Sequence, residues 1–329
     1  MRMTVLGAGS WGTALAHLAA DKGFETLLLA KETDVAEAIN TRRENTLFLP
    51  GLALCPALRA VTDPAVALAG ADIVLLAIPC QYLRESLTHL ASLLPDNGIF
   101  VCASKGLELG TQKRMSEVVK EALPDKKPRY AILSGPSFAR EVAQGKPTAV
   151  VLGCADAALR EELRAVFSTP VFRVYSSTDV VGVELGGAIK NVMAIAAGLC
   201  DGLGLGNNAR AALITRGLAE MSRLGEAMGA RTTTFMGLSG MGDLVLSCTG
   251  DLSRNRQVGL RLAAGESIEA ISTSMRMVAE GIKTTGAVCE LAGQLGVELP
   301  LAAAVRRILG GAAPLDALRD LMSRALREE

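Results

Sequence analysis

The sequence predicts an α/β protein: a doubly wound, mostly parallel sheet in residues 1–180, followed by an all-helical domain in 181–329. Three observations carry that reading. Short apolar runs alternate with amphipathic stretches through the first half. A glycine pattern, Gly7-Ala8-Gly9-Ser10-Trp11-Gly12, separates the first apolar run from the first helix. Beyond residue 180 the apolar residues recur at three- and four-residue spacing, the period of a helix.

The composition bounds the class. With 329 residues, 50% of them hydrophobic, the chain has enough apolar surface for about two cores. Lysine plus arginine equals aspartate plus glutamate at 34 each, so no bulk basic face marks it for nucleic acid or an anionic membrane. Seven cysteines (55, 80, 102, 154, 200, 248 and 289) form no C-x-x-C pair, which suits free thiols in a reducing, cytoplasmic compartment. His17 and His89 are the only histidines, too few for a histidine metal site or a Ser-His-Asp triad, and no metal is expected. No uncharged apolar run approaches the roughly 18 residues of a membrane span. Residues 1–20 have the outline of a signal peptide, but cleavage would remove the glycine pattern, so they are read as part of the fold.

In chain order, residues 3–6 read as a strand, Ser10 or Trp11 to Lys22 as a helix closed by Gly23, and 25–30 as a second strand. In this setting Gly7 allows the tight turn, Gly9 lets a pyrophosphate approach, and Gly12 packs helix on strand. The phosphates would sit on the helix N-terminus. That is a dinucleotide-binding Rossmann fingerprint. Where an NAD enzyme usually carries an acid, this chain has Ala30-Lys31-Glu32, and Lys31 can meet a 2′-phosphate. NADP is permitted and NAD stays open.

Residues 72–79 and 98–103 read as buried strands with a helix at 82–93 between them; further strands fall at 130–133, 148–152 and 171–175, and helices at 111–122 and 156–167. Ligands of such sheets bind beyond the carboxyl ends of the strands. Ser104-Lys105-Gly106 follows one strand end, which puts Lys105 at the crevice rim, and 134–139 (SGPSFA) makes a second anion-friendly turn.

The helix at 181–199 is almost wholly apolar or small, yet carries Lys190 and Asn191. A buried ammonium is a candidate proton donor or acceptor; the competing reading is a lysine snorkelling to the surface. The glycines of 201–208 lack G-K-[ST] and make no P-loop. Helices follow at 209–228, 253–264, 267–275, 283–295, 299–309 and 314–327. Within 236–246 (MGLSGMGDLVL), Asp243 reads either as a buried carboxylate with Lys190 as partner or as a helix N-cap. Ser253 is a good N-cap, which places Arg254 and Asn255 in the first turn. An arginine there opposes the helix dipole unless an anion binds beside it.

Together these segments closely resemble the bacterial-type NAD(P)-dependent glycerol-3-phosphate dehydrogenases, through G-A-G-S-W-G at 7–12, S-K-G at 104–106, S-G-P-S-F-A at 134–139, G-G-A-I-K-N at 186–191, G-x-G-D-L at 240–244, S-R-N-R at 253–256 and V-A-E-G at 278–281. The resemblance implies a catalytic lysine at Lys190 assisted by Asp243. It implies a glycerol-phosphate site of Lys105, Gly135, Ser137, Lys190, Asp243, Ser253, Arg254 and Asn255. It implies cofactor contacts at Gly7, Gly9, Ser10, Trp11, Gly12, Lys31, Lys105, Ala139, Arg254, Val278 and Glu280. The implied reaction is the reversible reduction of dihydroxyacetone phosphate to sn-glycerol 3-phosphate, which supplies phospholipid synthesis. Its partner is a small phosphorylated three-carbon substrate, with no nucleic acid and no membrane span; a homodimer is allowed. A 3-hydroxyacid or sugar-acid dehydrogenase shares the glycine turn and helix lysine but needs no S-R-N-R segment. A non-enzymatic dinucleotide sensor needs neither Lys190 nor Asp243, and a nucleic-acid regulator needs a basic face.

Overall fold

The structure, a computed structural model, describes residues 1–275 and 279–323. It divides into two compact units, Met1–Lys105 with Lys113–Glu184, and Gly106–Gln112 with Leu185–Glu329.

The first unit is an eight-stranded sheet of β1 (Arg2–Leu6), β2 (Glu25–Leu29), β3 (Arg59–Val61), β4 (Ile73–Leu76), β5 (Ile99–Cys102), β6 (Arg129–Ser134), β7 (Thr148–Gly153) and β8 (Phe172–Ser177). The strand order is β3-β2-β1-β4-β5-β6-β7-β8, so the winding reverses between β1 and β4. All pairs are parallel except β6 with β7. Its helices are α1 (Ser10–Asp21), α2 (Thr33–Arg42), α3 (Pro64–Leu68), α4 (Cys80–Leu90), α5 (Met115–Ala122), α6 (Ala139–Ala143) and α7 (Ala157–Phe167). The central strands bury both faces and therefore read as near-continuous apolar runs. Met3, Val5, Leu28, Ile73, Leu75 and Val101 fill one layer, and Leu6, Val74, Leu76, Phe100 and Ile132 the other.

The helix expected at 111–122 begins only at Met115. Gln112 takes a left-handed φ of 57°, and Arg114 then forms a capping box with Glu117. Two further side chains tie this unit together. Lys22 donates to the carbonyls of Ala165 (2.6 Å), Val166 (2.7 Å) and Ser168 (2.7 Å), satisfying orphan acceptors at the end of α7. Glu184 accepts from Ser116 N (2.7 Å), Ser116 Oγ (2.8 Å), Arg114 Nη1 (2.9 Å) and Tyr130 Oη (2.7 Å). Burial raises the Glu184 carboxyl, while Arg114 and these donors pull it back.

The chain passes into the second unit within α8 (Val180–Gly202), where every residue from 182 to 200 is buried. By length and hydropathy α8 could cross a membrane, although no such span was expected; its charges Glu184 and Lys190 interrupt the apolar run. Its best window has mean hydropathy 1.5 and is 89% buried inside the protein, the environment of a core helix. The described elements that follow are α9 (Gly206–Ala227), α10 (Thr232–Phe235), a π-turn (Leu238–Gly242), α11 (Asp243–Thr249), α12 (Arg254–Ala263), α13 (Ile268–Ser274), α14 (Glu280–Leu295), α15 (Pro300–Leu309) and α16 (Pro314–Met322). Of the expected last helix, 324–327 lie outside the described residues. A Cβ on Gly198 would stand 2.0 Å from the Arg256 carbonyl oxygen, so α8 and α12 pack backbone against backbone.

Glu220 on α9 is buried and accepts from Leu301 N (2.6 Å) and Ala302 N (3.2 Å), the first turn of α15. Burial pushes its carboxyl up to about 7 from 4.5, against the pull of those two donors. The folded state therefore binds this proton more tightly than the unfolded chain. Its contribution to stability is complete below about pH 4.5 and is lost as pH rises to about 7. Glu220→Gln should remove that slope, so its melting temperature gains on the wild type with rising pH. Parallel melting-temperature curves from pH 5 to 8 would show that Glu220 does not titrate in this window.

Candidate active site

The first unit builds an open glycine turn at the end of β1. Gly7 has φ +109°, and a Cβ there would lie 2.8 Å from the Ala77 carbonyl oxygen; one on Gly12 would lie 1.9 Å from that of Gly7. Around Gly9 a Cβ would meet nothing within 4 Å, so the turn opens at its middle glycine. Gly9 is the N-cap of α1 and no side chain caps the helix. The Trp11 indole N–H is buried without a hydrogen-bond partner among the described residues. An uncapped helix end, an open glycine and an unspent donor fit the phosphates of a dinucleotide. Ser10 spends its hydroxyl proton on the Phe48 carbonyl (2.6 Å). Lys31 is exposed two residues beyond β2, and Ala139 opens α6, which packs on α1.

At the ends of β5 and β6 three residues converge. Lys105 Nζ (3.2 Å) and Ser137 Oγ (2.9 Å) both donate to the Gly135 carbonyl. Gly135 has φ +134°, which a side chain would strain.

In the second unit, Lys190 Nζ donates to Asp243 Oδ1 and to Ser247 Oγ (2.9 Å). All three residues are buried, with Asp243 1% exposed. Sequence explains the placement locally. Gly186 lies one helical turn before Lys190, and its Cβ would stand 2.4 Å from the Ser239 carbonyl oxygen, so α8 and the π-turn touch directly. The π-turn ends at Asp243, the first residue of α11, and Ser247 lies one turn on, on the same face. Asp243 is therefore the buried carboxylate partner of Lys190; it is not the N-cap, since Gly242 holds that position and no side chain caps α11. Ser247 was missed by sequence reading; its signal was the four-residue spacing from Asp243. Separating such a buried pair is destabilising by about 3–5 kcal/mol.

Beside the pair, Asn255 Nδ2 donates to Asn191 Oδ1 (2.9 Å), and Asn255 Oδ1 accepts from Gly281 N (3.0 Å). Asn255 therefore joins α8, α12 and the start of α14, at whose first residue Glu280 stands. Ser253 caps α12 by accepting from Arg256 N (3.3 Å). Arg254 is exposed in that first turn and forms no ion pair among the described residues. Val278 lies outside the described residues. Burial pushes the Cys102 and Cys248 thiols up to about 12, so neither offers a thiolate near neutrality.

A buried lysine–aspartate pair suits an oxygen that gains a proton, and an open glycine turn at a helix N-terminus suits a dinucleotide, the equipment of an NAD(P)-linked oxidoreductase. Residues 2–160 match the family described as NAD-dependent glycerol-3-phosphate dehydrogenase N-terminus, and residues 179–320 match its C-terminus. The chain belongs to this family. It is 59% identical to glycerol-3-phosphate dehydrogenase [NAD(P)+] of Nitratidesulfovibrio vulgaris, over 100% of both chains. It is 53% identical to the protein of that name from Trichlorobacter lovleyi, over 100% of this chain and 99% of the other. A crystal structure of glycerol-3-phosphate dehydrogenase from Coxiella burnetii superposes with a TM-score of 0.94 at 39% identity, covering 98% of this chain and 99% of that one.

Proposed function

We propose that the chain reversibly reduces dihydroxyacetone phosphate to sn-glycerol 3-phosphate with NADPH or NADH, supplying the glycerol phosphate backbone of phospholipids. The observation that carries this reading is the buried Lys190 ammonium held by Asp243 and Ser247. When bound, the nicotinamide supplies the hydride. Lys190 stabilises the charge that develops on the ketone oxygen and donates its proton there. Asp243 and Ser247 fix the position of Nζ. The resemblance names Ser253, Arg254 and Asn255 at the start of α12 as substrate residues of the second unit, and Lys105, Gly135 and Ser137 as those of the first; a guanidinium and helix first-turn N–H groups suit a phosphate. Gly7, Gly9, Ser10, Trp11 and Gly12 hold the dinucleotide, with Lys31, Ala139, Val278 and Glu280 as its further contacts. In this reading 1–180 is the dinucleotide-binding domain and 181–329 the helical substrate-binding domain. We place the enzyme in the cytoplasm without a membrane span, with a homodimer allowed; its seven free thiols suit a reducing compartment.

The test is oxidation of NADPH and of NADH in the presence of dihydroxyacetone phosphate. Turnover of carboxylated rather than phosphorylated ketones would move the chain to the hydroxyacid dehydrogenases, and absence of turnover to the sensors. Cofactor choice is tested at Lys31. Lys31→Asp should shift the ratio of kcat/KM values from NADPH towards NADH, because a carboxylate accepts from ribose hydroxyls and repels a 2′-phosphate. An unchanged ratio would mean Lys31 serves only solvent.

A further inference from the structure

The loop after α2 is tied to the glycine turn by a closed set of hydrogen bonds within the first unit. Asn45 is fully buried. Its Nδ2 donates to the Ala8 carbonyl (2.8 Å) and to Thr13 Oγ1 (2.8 Å), and its Oδ1 accepts from Phe48 N (2.9 Å). Thr13, also fully buried, donates its hydroxyl to the same Ala8 carbonyl (3.2 Å). Ser10 closes the ring by donating to Phe48 O (2.6 Å). The Ala8 carbonyl therefore accepts two side-chain donors from the protein interior.

A trans peptide points its carbonyl and its N–H in opposite directions. Fixing the Ala8 carbonyl inward fixes the Gly9 N–H outward, on a turn that is open around Gly9. We propose that Asn45 and Thr13 are positioning residues for the cofactor's pyrophosphate: they hold the Ala8–Gly9 peptide so that its N–H meets the phosphate. This rests on the dinucleotide reading above. Without them the peptide can rotate and present an oxygen to an anion. Such pre-organisation lowers the reorganisation needed on binding and leaves the proton-transfer residues untouched.

The test is calorimetric binding of ADP-ribose, which carries the pyrophosphate without the reacting ring, to the full-length wild type and to Asn45→Asp, Thr13→Val and Thr13→Ser. Losing a charge-assisted N–H contact should weaken ADP-ribose binding about tenfold or more in Asn45→Asp and Thr13→Val. Thr13→Ser keeps the hydroxyl and should bind like the wild type. Adenosine, titrated by NMR, should bind all four proteins alike. In turnover, Thr13→Val should raise KM for NADPH with kcat retained, and it carries the test should Asn45→Asp fail to fold. Wild-type protein that does not bind ADP-ribose would overturn the dinucleotide reading and the proposal with it. Wild-type binding with Thr13→Val unchanged, or with adenosine and ADP-ribose weakened equally, would overturn the proposal alone.

Discussion

Lys190→Met should leave a folded protein that still binds NADPH and has lost about 10²–10⁴ of its turnover, the usual loss when general acid–base help is removed. Methionine keeps the length and apolar character of the stem and removes the ammonium. The substitution also leaves Asp243 buried without its cation, and stranding one partner of a buried pair is destabilising by about 3–5 kcal/mol. Stability and chemistry must therefore be read separately. Lys190→Met with Asp243→Asn removes both charges and should regain much of the melting temperature lost in the single variant. Turnover should not return with it. Asp243→Asn alone, which keeps the ammonium but loosens its hold, should fall less far than Lys190→Met. Near-wild-type turnover in a folded Lys190→Met protein would remove Lys190 from the chemistry.

The parts of this molecule legible from its sequence are those whose signal is local. The strand–glycine–helix start could be read because the constraints on Gly7 and Gly12 come from neighbours a few residues away or from the adjacent β4 end. The buried parallel strands could be read because burial on both faces leaves an uninterrupted apolar run. β3 could not, since Arg59-Ala60-Val61 has one buried residue and no pattern. The antiparallel β6–β7 pairing has no local mark, because strand direction is set by how the chain returns. The Lys190–Asp243 pair was approachable, as each is a charge in an apolar or glycine-rich setting. Ser247 looked like any helical serine until α11 was placed against α8. Asn45 was silent for the same reason: an asparagine in a loop reads as turn chemistry, and its partners Ala8 and Thr13 are 37 and 32 residues away.

Arg254→Ala should lower kcat/KM for dihydroxyacetone phosphate by about ten- to a hundredfold or more, while the apo protein melts almost where the wild type does. The two halves of that expectation have different origins. Ser253 already caps α12, so the helix does not need Arg254 for its start. An exposed cation in the first turn opposes the helix dipole by a few tenths to about 1 kcal/mol, and its removal should be neutral or slightly stabilising. In the proposed function the guanidinium pairs with the substrate phosphate, and a charge-assisted bond contributes roughly 1.5–3 kcal/mol. Unphosphorylated dihydroxyacetone lacks that partner and should lose far less. The comparison is made at saturating NADPH, because the resemblance also gives Arg254 a cofactor contact. High salt should weaken the wild type more than Arg254→Ala if exposed charge pairing is the cause. Equal losses on the phosphorylated and unphosphorylated ketone would assign Arg254 to the cofactor or the fold, and phosphate recognition would then fall to Lys105, Ser137 and the first-turn N–H groups of α12.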